Sequence, residues 1–90
     1  MRPDTLRIWR ESNQVGIQFL RTELKAGHTF LDIAGGTDVE TTRLRTARVA
    51  KRAYDRVAVL MPRLNLSISE RDELKGKLED LKRRLESNPK

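Results

Sequence analysis

The sequence contains no cysteine and a single histidine, His28. The lack of cysteine excludes disulfides, thiolate catalysis and cysteine-bound zinc, and it is consistent with a reducing compartment. No stretch approaches the roughly 18 apolar residues of a membrane span. The N-terminal segment also lacks the apolar run of a signal peptide. We therefore expect a cytoplasmic protein that does not enter a membrane.

Aromatic residues are scarce: the chain has Trp9, Phe19, Phe30 and Tyr54. Its core must therefore be mainly leucine, isoleucine, valine and alanine, which favours closely packed helices over a large ligand cavity. With 90 residues, the chain is near the lower size limit for a stable core without cross-links. We expect one helical domain over residues 1–90.

Apolar residues recur along the chain at helical spacing. They predict helices at about residues 5–26, 29–34, 38–61 and 70–86, with a frayed tail at 87–90. Gly27 is predicted to end the first helix and Thr29 to cap the short second one. Short connections favour antiparallel neighbours. The predicted fold is all-α, a small antiparallel three-helix bundle with a short extra helix at the first corner.

The last predicted helix has a sharp start and a narrow apolar stripe. Ser67 and Glu70 have the spacing of a capping box, and Ser69 with Asp72 offers a competing register; together they predict a start near Glu70. The stripe consists of Leu74, Leu78, Leu81 and Leu85. It is as narrow as a coiled-coil seam, which indicates a surface for self-association, as in a dimer, or for a partner helix. The other interpretation, a third wall of the bundle core, is the one we slightly prefer.

The stretch FLDIAGGTD, residues 30–38, resembles the first glycine motif of S-adenosylmethionine-dependent methyltransferases. That motif has three glycines, of which this chain has only the middle one, Gly36; Ala34 and Asp38 stand in the other two places. The methyltransferase fold also requires a parallel sheet, which helical periodicity does not provide. We therefore predict no bound cofactor. Gly35 and Gly36 are interpreted as a hinge, with Thr37 or Asp38 capping the next helix.

His28 and Asp32 are four residues apart, which places them on one face of a helix. A catalytic base and its orienting carboxylate have this arrangement. No serine or cysteine nucleophile is fixed beside the pair, and a metal site would need more ligands. We expect His28 to be a cap or surface residue, and we predict no catalytic or metal site. An enzyme built around this pair is the weakest of our functional hypotheses.

Positive charge is concentrated in one predicted helix. The chain has a formal net charge of +6, and residues 38–64 carry seven basic and three acidic residues. On a helical wheel, four arginines lie close to one line opposite the apolar face, and a fifth, Arg48, lies beside them. This Arg stripe consists of Arg45, Arg48, Arg52, Arg56 and Arg63. At 1.5 Å per residue it would be about 27 Å long.

The Arg stripe has a purely structural and a functional interpretation. It fits the solvated face of an amphipathic helix, which we favour, and it also fits a surface for an anionic partner. The first functional hypothesis is a non-enzymatic interaction or regulatory module with a protein partner or a second copy. The alternative is a nucleic-acid-binding accessory protein that contacts phosphates through the Arg stripe without reading base sequence.

Overall fold

The computed structural model describes the backbone of residues 3–87 and the side chains of residues 11–87. This part of the chain forms three α-helices, α1 (Pro3–Gly36), α2 (Glu40–Leu60) and α3 (Ile68–Ser87), and contains no strand. A 3-10 turn, Met61–Arg63, follows α2. The predicted all-α bundle is confirmed. Residues 88–90 of the predicted frayed tail lie outside the described residues.

The first two predicted helices are one continuous helix. α1 has 34 residues and passes through Gly27 without a break. No glycine in the described part has positive φ, so Gly27 does not adopt the left-handed conformation of a helix stop. The Thr29 hydroxyl donates to the Lys25 carbonyl at 3.0 Å, a bond made inside a helix rather than at its start. The predicted break between residues 26 and 29 is therefore wrong, and the extra helix is part of α1.

Gly27 has a different role from the predicted one. A Cβ atom added to it would lie 2.8 Å from Leu81 Cδ2 and 3.6 Å from Ala53 Cβ. Gly27 thus faces both α2 and α3, and its missing side chain lets the three helices approach closely. Gly27 was expected to end a helix, but glycine can also occur inside a helix where a neighbouring helix packs closely against it.

The chain reverses directly after Gly36. Neither Gly35 nor Gly36 has positive φ, so the reversal does not depend on left-handed glycine. The Val39 N–H donates to the Thr37 hydroxyl at 3.2 Å. The Arg43 guanidinium donates to the Thr37 carbonyl at 3.0 Å. The reversal is where the sequence predicts it, although Val39 rather than Thr37 or Asp38 occupies the N-cap position of α2.

The predicted capping box forms at the start of α3. The Ser67 N–H donates to Glu70 Oε1 at 3.0 Å, and the Glu70 N–H donates to Ser67 Oγ at 3.1 Å. Ser67 is therefore the N-cap, and α3 begins at Ile68, slightly earlier than predicted. At the preceding boundary α2 ends at Leu60, and Pro62 lies in the 3-10 turn that follows.

α1 and α3 run in the same direction, side by side and at a constant register. α2, which connects them in the sequence, runs in the opposite direction. Three hydrogen-bonded pairs join residues 52 positions apart: Asn13 with Asn65, Arg21 with Glu73, and Asp32 with Arg84. The Asn13 amide makes two bonds of 2.8 Å, accepting from the Asn65 N–H and donating to the Asn65 carbonyl. Because the offset stays constant, the whole of α3 lies beside the later part of α1, from about residue 16 onward.

The core is aliphatic and lies where the three helices meet. Its buried apolar residues are Ile17, Leu20, Leu24, Leu31 and Ala34 of α1, Ala50, Ala53 and Val57 of α2, and Leu74 and Leu81 of α3. The molecule measures 56 × 21 × 16 Å. Its length matches α1, whose 34 residues extend about 51 Å at 1.5 Å per residue. Such a narrow bundle leaves long grooves between neighbouring helices at its surface.

Candidate basic interaction surface

The five residues of the predicted Arg stripe are all exposed. Arg45, Arg48, Arg52 and Arg56 lie on α2, whereas Arg63 lies in the 3-10 turn. Because α2 ends at Leu60, Arg63 lies outside the helix that carries the other four arginines. The helical part, from Arg45 to Arg56, spans about 16 Å.

The arginines of α2 differ in what they contact. Arg56 Nη1 lies 3.4 Å from Glu23 Oε1, and this ion pair joins α2 to α1. The Glu23 side chain is only 15% exposed, so the pair is partly sheltered from solvent. Within the described residues, Arg45, Arg48 and Arg52 have no hydrogen-bonding or ion-pair partner. These three guanidinium groups are therefore available to a ligand.

A groove runs along the surface between α2 and α3 and contains two hollows. The first, the Tyr54 hollow, has a volume of about 420 Å³. Half-buried Ala47, Tyr54 and Leu85 form its floor, and exposed Arg48, Lys51, Lys82 and Glu86 form its rim. The hollow thus combines an apolar floor with three cations and one carboxylate.

The second hollow, the Met61 hollow, lies further along the same groove and has a volume of about 470 Å³. Its apolar lining consists of Ala58, Met61, Pro62, Leu66 and Leu78, and its rim consists of Arg71 and Lys75. Both rim residues are exposed cations. The two hollows therefore have the same chemistry, an apolar surface bordered by positive charge.

Most cations of this α2–α3 groove are unpaired. Lys51 Nζ lies 3.5 Å from Asp55 Oδ2 in an exposed ion pair. The other four cations, Arg48, Arg71, Lys75 and Lys82, have no ion-pair partner in the part of the chain with described side chains. With five cations and one carboxylate, Glu86, along its rim, the groove carries an excess of positive charge.

The predicted leucine seam is divided between the core and this groove. Leu74 and Leu81 have no exposed surface, because α3 packs them against α1 and α2. Leu78 and Leu85 are half-buried and line the two hollows. The seam as a whole is therefore not exposed; only Leu78 and Leu85 remain partly accessible, on the side of the groove. The preferred interpretation, a third wall of the core, describes its buried half.

The His28 and Asp32 side chains both contact Arg84 of α3. Arg84 Nη1 lies 3.0 Å from His28 Nδ1 and 3.2 Å from the His28 carbonyl oxygen. Arg84 Nη2 donates to Asp32 Oδ1 at 2.6 Å. A guanidinium has donors only, so His28 Nδ1 accepts in this contact. The arrangement joins α3 to α1. Among the described residues, no group of three or more candidate metal ligands is present.

A second arginine, Arg21, joins α1 to α3 at a position further from the chain reversal that follows Gly36. Arg21 donates through Nε and Nη2 to the two Glu73 carboxylate oxygens, both at 3.1 Å. Lys77 Nζ donates to the same carboxylate at 3.1 Å. The hydrogen bond from Arg21, followed by that from Lys77, lowers the pKa of Glu73 from 4.5 to about 2. Glu73 is therefore ionised at neutral pH, and its ion pair with Arg21 joins α3 to α1.

No family model, curated protein or solved structure matches the chain. In the described part, no helix is long and apolar enough to cross a membrane. The candidate site is therefore defined by geometry alone, as the α2–α3 groove with its two hollows and basic rim.

The charge pattern of the sequence predicts only part of this surface. It indicates Arg48 but not Arg71, Lys75 and Lys82, because acidic residues elsewhere on the last helix nearly balance their charge. A signal for these three residues was present. Spacings of four and seven place them on one side of a helix, next to Leu78.

Proposed function

We propose that this protein is a non-enzymatic helical module that binds an acidic partner protein through the α2–α3 groove. The observation that supports this function is the cluster of unpaired cations around an apolar groove: Arg48, Arg71, Lys75 and Lys82. Bringing like charges together on two helices is unfavourable by itself. A negatively charged partner would relieve this repulsion and speed association.

The contacts of His28 and Asp32 also favour a binding role over catalysis. Both side chains are hydrogen-bonded to Arg84, a residue of a neighbouring helix. Their arrangement therefore has a structural explanation, the attachment of α3 to α1. The proposal assigns no catalytic role to either residue.

A charge-reversal pair tests the proposal. Lys82 and Arg83 are adjacent on α3, but Lys82 lines the Tyr54 hollow whereas Arg83 pairs with Asp80 of its own helix. Lys82→Glu and Arg83→Glu change the net charge equally. With poly-L-glutamate as the probe, we expect Lys82→Glu to weaken salt-sensitive binding clearly more than Arg83→Glu in isothermal titration calorimetry. Equal losses would mean that only net charge matters, which would refute a specific acidic-partner site.

The alternative function is nucleic-acid binding without base recognition. The observation in its favour is that Arg45 and Arg52 are exposed on α2, have no partner among the described residues and do not line either hollow. Phosphate contacts would make such binding strongly salt-dependent. Titration with duplex DNA and with single-stranded RNA at low and high salt tests this function. Salt-sensitive binding that Arg52→Glu weakens more than Lys82→Glu would favour it over the acidic partner.

A further inference from the structure

The two hollows of the α2–α3 groove are spaced like anchor sites for a single helix. On α2, the Tyr54 hollow is lined by residues 47–54 and the Met61 hollow begins at Ala58. Their centres are about ten residues apart along α2, which corresponds to about 15 Å. In an amphipathic helix, residues about eleven positions apart return to the same face and are separated by about 16 Å. Two apolar side chains at this spacing would therefore reach both hollows.

The charges beside the hollows specify the flanks of the ligand. At the Tyr54 hollow, α2 contributes Arg48 and Lys51 to one side, and α3 contributes Lys82 and one carboxylate, Glu86, to the other. At the Met61 hollow, both cations, Arg71 and Lys75, come from α3. A bound helix should therefore carry aspartate or glutamate along the flank that faces α3 and, at the Tyr54 end, also on the flank that faces α2.

Two other occupants fit the groove less well. Residues 1–11 of this chain include apolar side chains, but they carry Arg2, Arg7 and Arg10 against Asp4 and Glu11. This net positive charge disfavours the same segment of a second copy. A nucleic-acid backbone would satisfy the cations, but it offers no apolar anchors for the two hollows. The combination of apolar floor and basic rim fits an acidic peptide helix best.

We infer that the α2–α3 groove binds one acidic amphipathic helix of a partner protein, anchored by two apolar residues about eleven positions apart. This inference rests on the proposed function and makes it specific, because it names the form of the ligand and the spacing of its anchors. Charge attracts the helix to the groove, and the two apolar anchors determine which helices bind.

The probe is a fluorescein-labelled alanine-glutamate peptide with two leucines about eleven positions apart. Its binding is followed by fluorescence anisotropy. In the protein, Ala58→Trp places a large side chain in the Met61 hollow from an exposed position, so it leaves the core intact. Thr41→Trp is the matched control, since Thr41 is exposed on the same helix and lines neither hollow. Melting curves of both variants establish that each is folded.

We expect Ala58→Trp to weaken binding by about tenfold or more, as the loss of an interface anchor does, and Thr41→Trp to leave it unchanged. Replacing either leucine of the peptide by alanine should have a similar effect to Ala58→Trp. This second measurement leaves the protein unaltered and is therefore independent of its folding.

The charge and anchor variants distinguish the inference from the proposed function. Binding that falls with Lys82→Glu but is insensitive to Ala58→Trp and to the leucine substitutions would overturn the anchored helix while leaving the acidic partner in place. Binding that is insensitive to Lys82→Glu as well would overturn both. Displacement of the peptide by duplex DNA at lower concentrations than by unlabelled peptide would also overturn the inference, in favour of nucleic acid.

Discussion

Replacing Gly27 by alanine should destabilise the protein, although alanine is the better helix former. Gly27 lies inside α1, and an added Cβ atom would be 2.8 Å from Leu81 Cδ2 and 3.2 Å from Leu81 Cδ1. Leu81 has no exposed surface, so its side chain cannot move aside into solvent. The new methyl group must therefore strain the contact between α1 and α3.

The magnitude follows from two opposing effects. Alanine is favoured over glycine by about 1 kcal/mol in a helix interior. An extra methyl group in a packed core costs about 1–3 kcal/mol. Gly76 separates these effects, because it is an exposed residue of α3 with no atom within 4 Å of an added Cβ. Gly76→Ala should show the helix gain alone, so the two variants should differ in stability by about 1–3 kcal/mol.

Urea denaturation followed by circular dichroism measures this difference. Each kcal/mol should also shift the melting temperature by about 4–8 °C in a domain of this size. Leu81→Val shortens the opposing side chain and removes the two atoms nearest the added Cβ. Combined with Gly27→Ala, it should therefore cost less than the sum of the two single changes.

Two results would refute this reasoning. One is a Gly27→Ala variant as stable as Gly76→Ala, which would mean that α1 and α3 are not in close contact at Gly27. The other is strict additivity of Gly27→Ala and Leu81→Val, which would mean that the strain is not at Leu81.

Three further predictions concern the helix ends and the contact between α1 and α3. The pKa of Glu73 falls from 4.5 in the unfolded chain to about 2 in the fold, so its ion pairs stabilise the protein fully above pH 4.5 and cease to do so as the pH falls towards 2. The wild type should therefore lose more stability between pH 4.5 and pH 2 than Glu73→Gln does. Glu79→Gln, an exposed control on the same helix, should behave like the wild type. Equal acid sensitivity of the wild type and Glu73→Gln in urea titrations would contradict this. Ser67→Ala removes the hydroxyl that caps α3 and should cost about 1 kcal/mol in the same assay, and an unchanged transition midpoint would show that the cap contributes nothing. Gly35→Ala should raise the melting temperature, since Gly35 is helical, lacks positive φ and has open space at its Cβ position; a lower melting temperature would indicate a left-handed conformation there.

Interactions between residues close in the chain could be predicted from the sequence. Apolar periodicity predicted the three long helices, and the spacing of Ser67 and Glu70 predicted the hydrogen bonds that begin α3. The exposure of the Arg stripe on α2 was predicted in the same way, because it lies opposite the apolar face. Each of these features depends on helix geometry and on residues a few positions apart.

Tertiary contacts changed the interpretation of the residues that face another helix. Asp80 and Arg84 are four positions apart, a spacing that allows an ion pair on a helix surface. In the fold, Asp80 instead pairs with Arg83, whereas Arg84 contacts His28 and Asp32 of α1. The His28 side chain, which resembled part of a catalytic pair, thereby contacts a residue of another helix. When an arginine can reach several acceptors, the packing of the helices determines which one it contacts. The neighbouring residues in the sequence do not specify this packing.

The sequence by itself determined an all-α chain, the start of its last helix and the excess of positive charge on α2, because these properties arise within one helix. Only the tertiary structure decided that Gly27 continues α1, since its role depends on Leu81, which is 54 positions away in the chain. The same holds for the α2–α3 groove. Its hollows combine residues of two helices, and the register that brings Leu85 beside Tyr54 is fixed by the packing of α3 against α1 and α2.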